Sequence, residues 1–517
     1  MYKYVKEPTL TNLICTMQED TLQRKQFLGR FIELLNAIDD GCAISLNGKW
    51  GSGKTFFVKQ AELVLDAFNP HSSLGTKERS KVKSLFPSFI SANINGSKSS
   101  SDIQSVPEIE IIPQYTIHYD AWEHDSDIDP LISIIFDLYS QIKNNVQQSS
   151  QLNEKAKLDR IGKLSTLSLK LLGKMGVKFL DAQIGINIED FVNSKNLTDL
   201  IQCFTVSKDR ALLQSAEDTQ KLQEQINELL NSCIPDDGQY SRMVIFVDEL
   251  DRCKPDYAVK LIERIKHYFN NPRLTFVFAI NPGELIHTIS AFYGQGFDSG
   301  EYLNRFFDFN LSLPIIDLDG YLKSLNIGDS KCLDAVIRAL VIEEDLQLRE
   351  ILRAVSTIRL LSNNINKLNH FSPDQDLSYY MYMCNFILIP IIVILGINDS
   401  SKKDRFISGE APEVLHDVLN YMGIAGRTLC EELLAKDEVF KQPGMHWSSS
   451  SQKKEIDFDE WIDHFYKDVF KKRIKAEDRD FSQMQIDIGW RILSYVVSCS
   501  ALLTDFSDFK AIEKKYE

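Results

Sequence analysis

The feature that most constrains this chain is a glycine-rich octapeptide at residues 48–55. It matches the pattern G-x-x-x-x-G-K-[ST], in which glycines let successive backbone N–H groups turn inward towards phosphate oxygens. In this pattern Lys54 adds a charge that reaches the β- and γ-phosphates, and the Thr55 hydroxyl is placed to ligate Mg²⁺. We therefore predict a phosphate-binding loop made of Gly48, Lys49, Trp50, Gly51, Ser52, Gly53, Lys54, Thr55 and Phe56.

The residues on either side of this loop predict a strand before it and a helix after it. The apolar run 42–46 is typical of a buried strand, and residues 56–68 contain neither Gly nor Pro. The N-terminus of such a helix would face the bound anion. The alternative, a glycine-rich turn that binds nothing, is weakened by a second motif downstream.

The second motif is an apolar strand that ends in two acidic residues. Residues 243–247 are all apolar, as expected for a parallel strand that is buried on both faces. Such sheets bind their ligands at the carboxyl ends of the strands. We predict that Asp248 holds the water shell of Mg²⁺ and that Glu249 orients and polarises the attacking water. The alternative is an ordinary strand end with capping acids.

Three further residues are candidates for contacts with the γ-phosphate. Asn281 follows the apolar strand 274–280 and is predicted to sense the γ-phosphate by a hydrogen bond, the alternative being a turn residue before a proline. Arg305 is predicted to reach the γ-phosphate of a neighbouring subunit, and Arg359 to act within its own subunit from a lid helix. For Arg305 an ion pair with Asp308 or another acid is the alternative.

The order of strand and helix patterns predicts an α/β fold with a parallel central sheet, a helical insertion and an all-helical C-terminal region. The longest apolar run is 379–397, and its core at 386–397 is shorter than the ~20 residues of a membrane span, so we interpret it as a buried helix. The predicted parts are the first half of the core at 1–142, the insertion at 143–240, the second half at 241–318, a lid-like helical domain at 319–435 and a helical tail at 456–517.

Composition narrows the classes of function. The nine cysteines form no C-x-x-C pair and residues 1–11 contain no apolar signal segment, so we expect reduced thiols and a cytoplasmic protein. The net charge of −15 does not indicate nucleic acid as a partner, since non-specific binding requires clustered Lys and Arg.

These motifs together resemble those of the KAP family of P-loop NTPases. The resemblance covers roughly residues 12–370. Its most specific points are Trp50 within the phosphate loop and the segment 248–253, which contains Asp251 and Arg252. Asp120-Ala121-Trp122, the segment around Tyr302 and the spacing from Arg359 to Asn366 add to it.

The resemblance implies an additional-strand P-loop core followed by a helical region, with ATP and Mg²⁺ as cofactors. Many members carry membrane helices between the two nucleotide motifs, but residues 143–240 contain no apolar run of that length, so we expect no membrane span. The second carboxylate is often aspartate in the family and is Glu249 here, while Asn281 replaces the usual acid after its strand. Bacterial members that resemble this chain are associated with phage exclusion and defence cassettes.

Three hypotheses of function follow. The leading one is a cytoplasmic Mg-dependent ATPase that acts as a switch or motor subunit, with further copies of itself and anti-phage defence proteins as partners. The second is a membrane-proximal signalling scaffold that binds nucleotide and hydrolyses it weakly. The third is a nucleic-acid translocase, which would need a partner to supply the basic surface.

Overall fold

The computed structural model describes residues 7–86, 111–127, 129–148, 154–174, 177–179, 204–206, 216–234, 241–328, 332–365 and 387–421, together with Tyr466. These residues form two compact units. The first spans Glu7–Ile316, and the second begins at Asp317. Apart from Tyr466, the predicted helical tail 456–517 lies outside the described residues.

The first unit is built on a five-stranded, all-parallel sheet in the order β2-β5-β6-β1-β7. Strand β6 lies between β1, which leads into the phosphate loop, and β5, which ends in the two acidic residues. This inserted strand is the additional strand of the predicted class, so the predicted fold is confirmed. The strands are β1 (Cys42–Asn47), β2 (Gln114–Asp120), β5 (Arg242–Asp248), β6 (Leu274–Ile280) and β7 (Phe309–Ser312), while β3 (Val177–Phe179) and β4 (Phe204–Val206) form a separate antiparallel pair.

Helices cover both faces of the sheet, because alternate strand residues enter two different hydrophobic cores. One core joins the sheet to α1–α4, and the other joins it to α5–α10. Helices α8 and α9 both begin with a proline, whose missing N–H is tolerated at the first helical position. The helices of this unit are α1 (Leu10–Glu19), α2 (Lys25–Ala37), α3 (Lys54–Phe68), α4 (Thr76–Leu85), α5 (Pro130–Gln148), α6 (Glu154–Lys174), α7 (Ala216–Cys233), α8 (Pro255–Tyr268), α9 (Pro282–Tyr293) and α10 (Ser299–Asn304).

The register of the strands brings polar residues together at one edge of the sheet. Asp248 is paired with Ala279 of β6 and with Asp120 of β2, and Asn47 is paired with Ile280. The carboxyl ends of β1, β2, β5 and β6 are therefore level. Every residue of β6 is buried, as is β5 after its first residue, so the groups that can carry chemistry lie at the last residue of β5 and in the loops beyond these strands.

The second unit, in its described part, is helical. Its core surrounds α14, whose residues from Ile389 to Leu395 are all buried, as expected for a helix that is apolar on every side. The apolar run that the sequence analysis interpreted as a buried helix thus forms the centre of this unit. In the described part of the chain, no helix has both the length and the apolar character that a membrane span requires. The helices are α11 (Leu318–Ser324), α12 (Cys332–Glu343), α13 (Leu348–Ile365), α14 (Ile389–Asn398), α15 (Ser400–Ile407) and α16 (Glu413–Tyr421).

Candidate nucleotide-binding site

The phosphate loop between β1 and α3 has a backbone that depends on glycine. Gly51 and Gly53 have φ angles of 77° and 90°, in the left-handed region that other residues rarely adopt. At Gly48 a Cβ atom would lie 2.7 Å from the Ser52 hydroxyl oxygen, closer than real contacts allow. Each glycine of the pattern is thus explained by the course of the loop or by the side chains packed inside it.

Lys54, the first residue of α3, folds back across the loop. Its Nζ donates hydrogen bonds to the carbonyl oxygens of Gly48 and Lys49, at 2.7 and 3.2 Å. Burial lowers the pKa of this ammonium, while the carboxylates of Asp251 and Asp248 act in the opposite direction. The charge predicted to meet the phosphates is therefore held inside the loop by backbone oxygens.

Asp248 ends β5 close to Thr55 of the loop. Its Oδ1 accepts the backbone N–H of Glu249 at 2.9 Å. Its Oδ2 is buried and has no hydrogen-bond partner among the described residues. Burial raises the pKa of Asp248, and the nearby Thr55 hydroxyl and His118 lower it.

Two more buried polar atoms of this region have no hydrogen-bond partner among the described residues. The Ser52 hydroxyl oxygen and the Asn47 Oδ1 are also buried without a partner in the described structure. A buried polar atom without a hydrogen bond costs about 1–3 kcal/mol, so such atoms in a native fold need an explanation. A hydroxyl suits a phosphate oxygen, and the oxygens of Asp248 and Asn47 suit a hydrated Mg²⁺, which prefers oxygen ligands. The residues present therefore fit a Mg–nucleotide complex.

Glu249 has an unusual backbone conformation and a shifted pKa. Its φ angle is 58°, which is uncommon for a residue other than glycine, and strained backbone of this kind clusters at active sites. Burial and the neighbouring Asp248 raise the pKa of Glu249 to about 6, although Arg252 acts to lower it. The carboxylate forms an ion pair with Nε of Arg252. A carboxylate with this pKa can accept a proton near neutral pH.

Asp251 connects three elements of the site. Its Oδ2 accepts the indole N–H of Trp50 at 2.5 Å and the backbone N–H of Asn281 at 3.1 Å. The phosphate loop, the turn after β5 and the end of β6 are thus joined by one carboxylate. In the sequence Asp251 is visible only as part of a motif, because its contacts with Trp50 and Asn281 depend on the register of β5 and β6.

Asn281 lies at the edge of the phosphate loop. It follows β6, whose last residue, Ile280, accepts the backbone N–H of Gly48 at 3.1 Å. Its side chain makes no capping hydrogen bond to the helix that follows. The structure therefore places Asn281 beside the loop, and its role in sensing remains a prediction.

Arg24 supports the phosphate loop, a role that its position in the sequence does not predict. Its guanidinium is buried and donates to the carbonyl oxygen of Ser52 at 2.8 Å and to that of Pro314 at 3.4 Å. Burial lowers its pKa to about 10. Arg24 is separated from Ser52 by 28 residues. Nothing in its own neighbourhood in the sequence signals this contact.

Arg305 lies at the opposite edge of the sheet from its own phosphate loop. It caps α10, just before β7, and Asp308 of the same stretch donates its backbone N–H to the carbonyl oxygen of Ala43 at 2.8 Å. Ala43 precedes Gly48 by five residues, or about 16 Å at ~3.3 Å per residue of strand. The Arg305 side chain is 75% exposed and pairs with Glu301 of its own helix.

Asp308 and Arg359 each contact a backbone group of their own unit. Asp308, the suggested partner of Arg305, instead accepts the backbone N–H of Ala43 at 2.8 Å through its carboxylate. Arg359 belongs to the second unit, on α13, where its guanidinium donates to the carbonyl oxygen of Leu325. Its predicted role as a lid residue stays a prediction.

The inserted strand, the glycine-dependent loop and the acidic end of β5 define a P-loop NTPase domain of the additional-strand class. A model of the KAP family P-loop domain matches residues 24–373, which is more than half of the chain. The chain belongs to the KAP family, as its motifs predicted, and the match begins at Arg24. The family relationship suggests nucleotide binding and hydrolysis. No curated protein matches the chain.

Proposed function

We propose that this chain is a Mg-dependent ATPase that acts as a switch or motor subunit in a multi-protein anti-phage defence system. The observation that carries the enzymatic part is the buried Oδ2 of Asp248, which has no hydrogen-bond partner in the described part of the chain and lies beside a glycine-dependent phosphate loop. The defence role is supported by the resemblance to bacterial KAP proteins. The protein would be cytoplasmic, and its partners would be further copies of itself and defence proteins.

In the proposed site the chain binds and orients a nucleoside triphosphate. Backbone N–H groups of residues 48–56, the Ser52 hydroxyl and Lys54 bind the β- and γ-phosphates, while Thr55 and Asp248 hold the metal ion. Bound Mg²⁺ would polarise the phosphate oxygens and neutralise developing charge. Asn281 would contact the γ-phosphate from the end of β6.

Hydrolysis requires a water molecule to attack the γ-phosphorus as the bond to the β–γ bridging oxygen breaks. Glu249 orients this water and accepts one of its protons, for which the left-handed backbone and the pKa of about 6 suit it. The electron pair of the broken bond leaves on ADP, and inorganic phosphate is the second product.

The site would be completed by an arginine from a neighbouring subunit. Lys54 is held by the loop, and Arg252 is engaged with Glu249. Arg305 is exposed at the opposite edge of the sheet, so its guanidinium is available to another copy of the chain. An arginine supplied in this way stabilises the charge of the transition state, and Arg359 would act in its own subunit.

The test of this proposal is phosphate release by the purified chain with and without Mg²⁺, followed by phage plating on a host that expresses the system. We expect Mg-dependent release of phosphate from ATP, and protection of cells that Glu249→Gln removes. Release that does not depend on Mg²⁺ would contradict the enzymatic part. Protection that survives Glu249→Gln would show that defence does not use hydrolysis.

A further inference from the structure

Two tryptophans are exposed at the mouth of the nucleotide site. Trp50 of the phosphate loop is 42% exposed, and Trp122, in the turn after β2, is 52% exposed. The guanidinium carbon of Arg252 lies 6.0 Å from the ring centroid of Trp50 and 5.5 Å from that of Trp122. Both distances are within the ~6 Å at which a cation is attracted to an aromatic face. Arg252 therefore contacts two indole rings.

The Trp50 ring is fixed by the hydrogen bond from its Nε1 to Asp251. Trp122 is fixed through its backbone, since its N–H is bonded to Asp120 Oδ1 at 3.0 Å. The preceding residue, Ala121, donates its N–H to the carbonyl oxygen of Asp248, also at 3.0 Å. Both tryptophans are thus tied to the turn and strand that carry the acidic residues.

The turn that contains Trp122 is also held in place by His124. The ring of His124 stacks on Tyr119 with centroids 5.1 Å apart. Its two nitrogens lie 2.9 Å from Asp127 and 3.4 Å from Asp137. The position of Trp122 is therefore set by packed and charged groups of β2, the turn and α5.

Arg252 links the two tryptophans to Glu249. Its Nε is paired with Glu249 Oε2, and both side chains are largely buried. A carboxylate offers about four acceptor sites on two oxygens, so one N–H bond orients the group without occupying the oxygen that would face water. Planar guanidinium suits this combination of stacking and directed hydrogen bonding better than the ammonium of lysine.

We propose that Arg252 is a positioning residue for Glu249, held in place by Trp50 and Trp122. This inference rests on the proposed function, because it assigns Glu249 the role of general base. Arg252 then acts through the carboxylate and does not itself touch the nucleotide.

The experiment is a double-mutant cycle on single-turnover hydrolysis, with enzyme in excess so that slow variants remain measurable. Arg252→Ala should lower the rate on the order of 10²-fold, the typical cost of displacing a reacting group by about 1 Å. The dissociation constant of Mg–ATP should change by less than about threefold, since the phosphate loop is intact. In the Glu249→Gln background, Arg252→Ala should lower the rate no further.

Arg264→Ala is the matched control. Arg264 is also ion-paired, with Asp129 at 3.0 Å, and its guanidinium carbon lies 5.6 Å from the ring centroid of Tyr268. It lies on α8, outside the proposed machinery, and should leave the rate unchanged. Trp122→Phe should retain most of the wild-type rate and Trp122→Leu should not, because only an aromatic ring attracts the guanidinium.

Three results would overturn the inference. Arg252→Ala could lower the rate equally in both backgrounds, as a residue that contacts the phosphates directly would do. It could weaken Mg–ATP binding or the melting temperature alone, as a structural residue would do. It could raise the rate, as an inhibitory contact would do. A wild-type rate in Glu249→Gln is a different outcome, which contradicts the assignment of the base and hence the proposed mechanism.

Discussion

The two edges of the central sheet differ in how they hold their charged groups. At the carboxyl edge Asp248 and Lys54 are buried, and Glu249 has a left-handed backbone. At the amino edge Arg305 is exposed and pairs with a neighbour on its own helix. Charged groups are costly to bury, so those at the carboxyl edge indicate a ligand. An exposed arginine gains a function only when another molecule binds to it.

The two edges of the sheet could serve one reaction in different copies of the chain. A parallel sheet in which β7 lies beside β1 places the stretch before β7 far from the chain's own phosphate loop. Head-to-tail contact between copies would bring the amino edge of one sheet to the carboxyl edge of the next. Variants at each edge therefore test the two contributions separately.

The first prediction concerns the amino edge. Arg305→Ala should lower the rate of hydrolysis on the order of 10³-fold or more while ATP binding is retained, because an arginine finger acts on the transition state. The wild-type specific activity should rise with protein concentration, and the variant should lose this dependence. Phosphate release across a dilution series measures both.

Glu301→Ala is the control for Arg305→Ala, because it breaks the same ion pair and leaves the arginine in place. It should have nearly wild-type activity. Mixing Arg305→Ala subunits with Lys54→Ala subunits should restore part of the activity. A specific activity that stays flat with concentration would leave Arg305 as a surface ion-pair residue.

The second prediction concerns the charge inside the phosphate loop. Lys54→Ala should weaken Mg–ATP binding by about 10- to 100-fold, since hydrogen bonds to charged groups contribute about 1.5–3 kcal/mol. Calorimetric titration with a non-hydrolysable ATP analogue measures this directly. Lys260→Ala, on the exposed surface of α8, is the control and should bind normally. Unchanged affinity in Lys54→Ala would refute the phosphate site.

The third prediction concerns the support of the loop by Arg24. Arg24→Ala removes a buried donor from the Ser52 carbonyl oxygen and should destabilise the fold by about 1.5–3 kcal/mol. Nucleotide affinity should fall by about tenfold as the loop loosens. Denaturant unfolding and calorimetry measure the two effects. Lys77→Ala, on the exposed surface of α4, should change neither.

The smallest effect is expected from substitution of His124, which lies in the same turn as Trp122. Burial alone would lower the pKa of His124, but hydrogen bonds to Asp127 and Asp137 outweigh it and raise the pKa to about 10. A folded-state pKa above the unfolded value stabilises the fold fully below about pH 6.5 and loses this contribution as pH rises through about 10. His124→Gln should therefore lower the free energy of unfolding at pH 7 by about 1–2 kcal/mol.

The difference between wild type and His124→Gln should shrink as the pH approaches 10, and unfolding by denaturant at several pH values measures it. His267→Gln, an exposed histidine on α8, should show no such dependence. A difference that stays constant from pH 6 to pH 10 would mean that His124 acts only through packing on Tyr119.

The parts of the fold that the sequence predicted are those set by local pattern. The glycines at 48, 51 and 53, the apolar strands at 243–247 and 274–280, and the acids at 248 and 249 each carry their signal within a few residues. Local geometry, such as a positive φ angle or burial on both faces, determines which residue types can occupy these positions. The central sheet and the phosphate loop followed from them.

The contacts that the sequence did not predict join distant segments. Trp50, Trp122 and Arg252 meet only because β1, β2 and β5 end at the same edge of the sheet. Arg24 reaches Ser52 across α2 and β1 in the same way. The order and register of the strands determine such contacts, and neither can be obtained from residue spacing along one chain.

The fate of Mg–ATP bound to Glu249→Gln shows whether Glu249 is the general base. This change removes the group that accepts a proton and leaves the loop, Thr55 and Asp248 in place. We predict wild-type affinity for Mg–ATP and a hydrolysis rate about 10²- to 10⁴-fold lower, so that bound ATP persists where the wild type yields ADP. Turnover near the wild-type rate would contradict the account, because the base would then lie elsewhere.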